Sequence, residues 1–276
     1  MGLVHVISFP KSGRTWMELM TARAISRLTS WDLSEILRGE VADTRWNEAA
    51  IDRPYFSHGH LNARLCRDRE FQTEHYANAR VFLLARDPRD VLVSHYHYMR
   101  SHHHEFSGSI ESFIHHPFRE EDRDSPRARF GIEPILNFMN GWALNAPILR
   151  GFELHHYEDA LVDPGAMLAK LLEMCRVDAD GPLIADAVEY ANIENMRRLE
   201  HSRELSWHGL RGSDTVQGRK VRSAETGSHR RDLTPGQTRR VEVPRRVQAR
   251  KDQHGVHARQ QEKGAPQGHR GRRGHL

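Results

Sequence analysis

Residues 4–16 read Val-His-Val-Ile-Ser-Phe-Pro-Lys-Ser-Gly-Arg-Thr-Trp, and they predict a strand, a tight loop and a helix in direct succession. The β-branched residues at the start are typical of a short buried strand. Pro10 and Gly13 then mark a turn. The segment after the turn is amphipathic, with Trp16 and Met20 on one stripe, and this spacing predicts a helix that packs on the strand.

The loop between the predicted strand and helix has the chemistry of an anion site. The first N–H groups of a helix lack intrahelical acceptors and lie at the positive end of the helix dipole. Lys11 adds a full positive charge, and Ser12, Arg14 and Thr15 add side-chain donors. The loop is therefore predicted to bind a phosphate or sulfate group. It is not a Walker A loop, G-x-x-x-x-G-K-[ST], because the lysine precedes the glycine.

A second informative stretch begins with the apolar run 81–85, which is typical of a strand buried on both faces of a parallel sheet. Asp87 and Pro88 mark the start of a helix, as an N-cap residue followed by proline at the first position. Asp90 stands three residues after the cap, which predicts a capping-box pair. Arg86, at the end of the predicted strand, offers a planar fork that matches phosphate oxygens.

These two stretches resemble the cofactor motifs of the sulfotransferases that use 3′-phosphoadenosine 5′-phosphosulfate (PAPS). Residues 10–16 resemble the family's 5′-phosphosulfate loop, with Arg14 where the family usually has threonine. Arg86 and Ser94 match the arginine and the serine of its 3′-phosphate motif. The resemblance covers about residues 3–237. It implies the P-loop-NTPase-like sulfotransferase fold, a single α/β domain with a mainly parallel sheet flanked by helices and the cofactor at the carboxyl ends of the strands.

The resemblance also implies a histidine general base between the two motifs. Residues 54–61 predict a short strand that ends in a loop containing His58 and His60. His58 follows a hydroxyl residue, as in the family's Thr/Ser-His pair, whereas His60 precedes leucine, as in its His-Leu-Pro variant. We prefer His58, and either ring suits the work because the reference pKa of histidine is about 6.5.

Two further segments are similar to the family. Tyr157 begins a Tyr-Glu-Asp segment, and the resemblance implies that Tyr157 and Trp16 lie beside the adenine. Residues 221–230 resemble the late loop Arg-Lys-Gly-x-x-Gly-x-x-(Lys/Arg), which closes on the 3′-phosphate in the family. Arg222 and Gly227 match this pattern, whereas the lysine and the first glycine are replaced by Ser223 and Ala224.

The implied activity is transfer of a sulfuryl group from PAPS to a hydroxyl or amine, with 3′-phosphoadenosine 5′-phosphate (PAP) as product and no metal. Lys11 is expected to neutralise charge on the bridging and leaving oxygens. The implied cofactor-binding residues are Lys11, Ser12, Gly13, Arg14, Thr15, Trp16, Arg86, Ser94, Tyr157, Arg222 and Gly227. Two alternatives stay open: a non-catalytic protein that binds PAP, another nucleotide or a polyanion, and an ATP-dependent P-loop kinase.

The composition of the chain indicates the cellular compartment and the kinds of partner to expect. The two cysteines, Cys66 and Cys175, lie far apart and outside any C-x-x-C pattern, which favours a reducing compartment over a disulfide framework or a zinc site. No apolar run approaches the length of a membrane span, so we expect a cytoplasmic protein without a membrane partner.

The histidines between His95 and His116 lack the ligand pattern of a metal site. The expected acceptor is a small molecule or glycan that carries a hydroxyl; the sequence does not specify which, nor the oligomeric state.

The charge of the chain is concentrated at its end. The formal net charge is +4, but residues 239–276 hold eleven basic and three acidic residues, a net +8, which leaves −4 on the rest. We therefore predict a sulfotransferase domain over residues 1–238 and a disordered basic tail over 239–276. An arm for nucleic acid is the alternative for the tail. It is disfavoured, and no nucleic-acid partner is expected, because no aromatic residues are interleaved with the charges.

Hydrophobic periodicity predicts the remaining elements. Residues 31–50 predict one helix or two short ones. Residues 132–150 predict a helix that turns Trp142 and Leu144 toward the core, and residues 184–199 predict a single amphipathic helix.

Overall fold

The computed structural model describes residues 2–59, 76, 78–101, 105–117, 129–202, 204–205, 207–210 and 226–241. Four parallel strands form one sheet in the order β2-β1-β3-β4. These strands are β1 (Leu3–Ser8), β2 (Arg53–Ser57), β3 (Arg80–Ala85) and β4 (Gly151–His156). The predicted α/β class with a parallel sheet is confirmed.

Helices cover both faces of this sheet. Those described are α1 (Arg14–Thr29), α2 (Leu33–Arg38), α3 (Asp43–Glu48), α4 (Pro88–Ser101), α5 (Ile110–Ile114), α6 (Glu133–Asn145), α7 (Tyr157–Val162), α8 (Pro164–Met174), α9 (Gly181–Tyr190), α10 (Ile193–Ser202), α11 (His229–Asp232) and α12 (Pro235–Arg240). Short 3-10 turns follow at Ala146–Ile148 and His208–Leu210. None of the helices described is long and apolar enough to cross a membrane.

Alternation along the central strands builds two hydrophobic cores. Val6 and Phe82 project to one face, where they join the buried side chains of α1 and α8. Ile7 and Leu83 project to the other face and join those of α4 and α6. Because both faces are covered, residues 81–85 of β3 form an unbroken apolar run, and β1 is buried from Val4 to Ser8 even at its polar residues His5 and Ser8.

A buried carboxylate ties the amino ends of the strands together. Asp52, just before β2, is 2% exposed and pairs with Arg80 at the start of β3. It also accepts from the Gly2 amide and lies 2.9 Å from Arg176 Nε. These contacts hold the first residues of β1, β2 and β3 side by side. The carboxyl ends of the three strands therefore also lie close together.

Two predictions about helices are wrong. Leu144 is 69% exposed, because the buried residues Ile135, Phe138 and Trp142 define a face of α6 that Leu144 lies opposite. The predicted single helix over 184–199 is two helices, α9 and α10. The second begins where the Asn192 side chain accepts the Asn195 amide at 2.8 Å, as an N-cap does.

The described chain extends past the predicted domain end at residue 238. Helix α12 runs to Arg240, and Val241 is 1% exposed in the core beside α4 and α6. Residues 242–276, most of the predicted tail, lie outside the described residues.

Candidate active site

The carboxyl ends of the four parallel strands bring the main predicted site residues to one edge of the sheet. Lys11 follows β1, His58 follows β2, Arg86 follows β3 and Tyr157 follows β4. In open parallel sheets this edge is where ligands bind. The strand order therefore places four segments that are far apart in sequence side by side.

The loop after β1 is shaped by two residues in the left-handed region. Lys11 has φ 71° and Gly13 has φ 95°, and α1 starts at the next residue. The Ser12 amide donates to the Phe9 carbonyl at 3.3 Å. A non-glycine residue held at positive φ costs backbone energy and is common where a loop presents its amides to a ligand. The loop therefore has the backbone form of an anion cradle.

The Ser12 hydroxyl supports the same interpretation. It is fully buried, and it has no hydrogen-bond partner among the residues that the structure describes. Buried hydroxyl groups in proteins are nearly always satisfied. A phosphate or sulfate oxygen seated in the loop supplies the missing acceptor, so the loop fits the group that the resemblance implies.

Gly13 lets an aromatic ring pack directly on the loop. A Cβ atom at this position would lie 2.4 Å from Cδ2 of Tyr157, which is far inside contact distance. Tyr157 is 5% exposed, and burial raises the pKa of its phenol. The ring therefore packs against the loop and holds it in place. Trp16 touches the same ring edge-on, with centroids 6.0 Å apart.

Arg86 links the ends of β3 and β4 to the loop. Its Nη1 donates to the Lys11 carbonyl at 3.0 Å, and its guanidinium carbon lies 4.5 Å from the centre of the Tyr157 ring. The guanidinium therefore adds a fixed positive charge beside the cradle.

His58 bonds to the last residue of β1. Its Nδ1 lies 2.9 Å from the Ser8 carbonyl oxygen. A carbonyl oxygen only accepts, so Nδ1 carries the hydrogen and Nε2 is the basic nitrogen of the neutral ring. The sheet thus holds the imidazole in the tautomer of a proton acceptor, next to the start of the anion loop.

Lys11 has an aromatic neighbour that sequence reasoning missed. Its ammonium nitrogen lies 4.2 Å from the centre of the Tyr98 ring on α4. Burial is the main cause that raises the pKa of Tyr98. Tyr98 stands four residues after Ser94 and so lies on the same side of α4, a helical spacing that was readable in the sequence.

The other predicted cofactor residues lie around the loop. Arg14 and Thr15 open α1, Ser94 lies on α4, and all three are half-buried. Burial is the main cause that lowers the pKa of Arg14, opposed by the negative field of Glu18.

Asp90 does not form the predicted capping box. Its buried carboxylate accepts from the amides of Gly227 (2.8 Å) and His229 (2.9 Å), from His229 Nδ1 (2.8 Å) and from the Ser228 hydroxyl (3.3 Å). The N-cap amide of Asp87, which a capping box would use, donates instead to Glu158. Gly227 of the predicted late loop is thereby bound to α4.

Some predicted site features lie outside the described residues. These are His60, Arg222, Ser223, Ala224 and the central histidines of the 95–116 stretch, 102–104. Within the described ranges, no group of three or more His, Cys, Asp or Glu side chains is arranged to hold a metal ion.

Comparison with known proteins decides the family. The sequence model of the sulfotransferase domain matches residues 3–246, most of the chain. The chain belongs to the sulfotransferase family. A search of curated proteins finds no match to this sulfotransferase.

Solved sulfotransferase structures have a similar fold. Mouse sulfotransferase SULT7A1 complexed with PAP is 16% identical, with a TM-score of 0.53 over 86% of this chain and 81% of that one. Retinol dehydratase with androsterone and the inactive cofactor PAP is 16% identical, with a TM-score of 0.56 over 87% and 78%. Retinol dehydratase with retinol and PAP is 17% identical, with the same TM-score over 87% and 79%. At these identities the likeness concerns the fold.

Proposed function

We propose that this sulfotransferase transfers a sulfuryl group from PAPS to a hydroxyl or amine of a small-molecule or glycan acceptor. One observation carries the proposal: an anion loop, a histidine in the acceptor tautomer and an arginine meet at the ends of three adjacent strands. The family membership supports the same activity. Complexes of sulfotransferase-fold proteins with PAP, androsterone and retinol support PAPS as donor and a small molecule as acceptor.

The donor is held by residues that follow β1, β3 and β4, and by the late loop. The loop Lys11–Thr15 takes the 5′-phosphosulfate through its amides and the Ser12 hydroxyl, because a helix N-terminus favours negative charge. Arg86, Ser94 and Arg222 take the 3′-phosphate, and Gly227 lets the backbone of the late loop approach it closely. Trp16 presents its half-buried ring to the adenine, and Tyr157 contributes its edge.

The chemical step is an in-line displacement at sulfur. The acceptor oxygen attacks and forms a new O–S bond, while the bond between sulfur and the bridging phosphate oxygen breaks and its electron pair leaves with PAP. His58 Nε2 takes the acceptor proton, so atoms and charge balance without a metal. Lys11 neutralises the charge that grows on the bridging oxygen.

The proposed compartment is supported by the thiol of Cys175. Cys175 is a free, fully buried thiol whose pKa burial raises to about 12, so it is inert as a nucleophile. A free thiol in the core fits a reducing compartment, and we place the enzyme in the cytoplasm.

The activity test is product formation from PAPS with a panel of phenols, alcohols, amines and hydroxyl-bearing glycans. We expect PAP release that depends on an acceptor, and an acceptor whose mass rises by one sulfuryl group. A Lys11→Ala variant that retains its fold serves as the control. PAP binding without turnover on any acceptor would instead identify a non-catalytic binding protein.

A further inference from the structure

Three residues of α4 lie on one face of that helix. Asp90, Ser94 and His97 are spaced by four and three residues, which places them in a single row along the helix. Asp90 is fully buried and His97 is half-buried. Ser94, the middle member, belongs to the proposed 3′-phosphate site.

Both ends of this row bind the same short segment of the chain, residues 227–232. Asp90 bonds to Gly227 and His229, and His97 Nε2 lies 2.8 Å from a carboxylate oxygen of Asp232. In the first contact α4 supplies the carboxylate and the segment supplies the histidine. In the second contact α4 supplies the histidine and the segment supplies the carboxylate. Ser94 lies between Asp90 and His97 along the helix, so the segment is bound to α4 on both sides of the Ser94 hydroxyl.

We infer that Asp90 and His97 are positioning residues that hold segment 227–232 against α4 and thereby complete recognition of the 3′-phosphate of the donor. The inference rests on the proposed function and deepens it. It assigns part of the discrimination between nucleotides with and without a 3′-phosphate to the contacts between α4 and segment 227–232.

Burial makes the Asp90 contact strong. A carboxylate removed from water is tolerated only when donors satisfy it, and within the described part of the chain the four hydrogen bonds to Asp90 all come from residues 227–229. The carboxylate is therefore satisfied only when the segment is docked. An asparagine has one acceptor oxygen and would turn an N–H group toward the N–H groups of the segment.

The test compares two nucleotides on four proteins by calorimetric titration. The nucleotides are PAP and adenosine 5′-monophosphate, which differ by the 3′-phosphate. The proteins are the full-length chain, Asp90→Asn, Asp232→Asn and Asp186→Asn. Asp186 is the matched control, because its carboxylate also joins two elements, pairing with Arg23 at 2.7 Å, but does not touch segment 227–232.

We expect Asp90→Asn to lose PAP affinity by about tenfold or more, whereas its affinity for the monophosphate changes by less than about twofold. Asp232 is half-buried, so Asp232→Asn is a milder change than Asp90→Asn, and we expect a smaller loss in the same direction. Asp186→Asn should leave the ratio of the two affinities unchanged. Equal losses for both nucleotides, or no loss for either, would overturn the inference.

Substitutions at His229 separate positioning from general damage. In His229→Asn the amide nitrogen stands near the place of Nδ1 and can still donate to Asp90, whereas His229→Leu removes that donor. We expect the asparagine variant to keep most of the PAP preference and the leucine variant to lose it. Equal preference in the two variants would contradict the assigned role.

Hydrogen exchange tests whether Asp90 docks the segment without requiring that the protein bind PAP. It therefore distinguishes a failure of this inference from a failure of the proposed function. In the ligand-free protein, Asp90→Asn should speed amide exchange across residues 226–232, whereas Asp186→Asn should not. If the wild-type protein bound no PAP, the proposed function and the inferred recognition would both fail, and exchange would still report whether Asp90 docks the segment. Unchanged exchange in Asp90→Asn would overturn the inference even if PAP binds.

Discussion

The tautomer of His58 is set by a hydrogen bond to the neighbouring strand. Its Nδ1 is committed to the Ser8 carbonyl, and this contact exists only because β1 and β2 are paired in their observed register. We expect His58→Ala to lower kcat by about 100-fold or more while PAP binding changes little, because a general base acts in the chemical step. Steady-state kinetics on the best acceptor, with PAP titration alongside, measure both effects.

His60→Ala is the control for this prediction. A normal rate in His58→Ala together with a slow His60→Ala enzyme would move the base to His60. Loss of PAP affinity in His58→Ala equal to the loss of rate would assign His58 to donor binding instead.

Lys11 is predicted to act on the transition state. We expect Lys11→Ala to lower kcat by about 100- to 1000-fold, as removal of one charge-stabilising group does in other enzymes. Lys11→Arg should recover part of the rate, since it restores the charge with a different shape. Single-turnover measurement with saturating PAPS isolates the step, and an unchanged rate constant in Lys11→Ala would remove Lys11 from the chemistry.

Short motifs predicted where individual residues lie in the fold. Lys11, His58 and Arg86 stand at the strand ends where the motifs predicted them, and their roles stay predictions. Asp90 was misassigned because the capping-box rule considers only neighbours in sequence, whereas its partner Gly227 is 137 residues away. The helical spacing of Asp90, Ser94 and His97 was the available signal, but sequence alone does not say what that row faces.

At the scale of elements, the anion loop depends on a glycine at its junction with α1. We expect Gly13→Ala to destabilise the fold by about 1–3 kcal/mol, because alanine is strained at φ 95° and its Cβ would overlap the Tyr157 ring. PAP affinity should fall as well, since the ring and the loop must separate. Thermal unfolding and PAP titration test both effects.

Gly141→Ala is the matched control for Gly13→Ala. Gly141 lies inside α6, and nothing in the described structure lies within 4 Å of a Cβ placed there. Alanine should therefore stabilise the helix by about 0.5–1 kcal/mol and leave PAP binding unchanged. Destabilisation by both substitutions alike would show that the Gly13 effect is not specific to the loop.

Hydrophobic patterns predicted where strands and helices lie in the sequence better than they predicted which side of a helix is buried. The strand at 81–85 was clear because burial on both faces makes it continuously apolar. Leu144 was misplaced because apolar character alone was used, whereas its position opposite Phe138 on the helix is incompatible with the core. The break at Asn192 needed recognition of an N-cap inside an apparently continuous pattern.

For the whole molecule, the fold and the family follow from ordered motifs, but the strand order does not. Two anion motifs after buried strands predict a parallel sheet, yet the placement of β1 between β2 and β3 is fixed by long-range packing on two cores. The acceptor is equally beyond motif reasoning, because nothing in the cofactor motifs depends on it.

The basic end of the chain is predicted to be dispensable. Residues 247–276 have few large apolar side chains and cannot form a core of their own. We expect a protein ending at Arg246, the end of the family match, to keep the full-length PAP affinity and an unfolding free energy within about 0.5 kcal/mol. Loss of either in the shortened protein would assign the end of the chain to the folded unit.

Calorimetric titration of the full-length protein with PAP, with ATP as the comparison, tests the central claim most directly. The account predicts micromolar binding of PAP and much weaker binding of ATP, because ATP lacks the 3′-phosphate for which the site at Arg86 and Ser94 is proposed. Binding of ATP as tight as that of PAP, or no binding of PAP by protein shown to be folded, would contradict it.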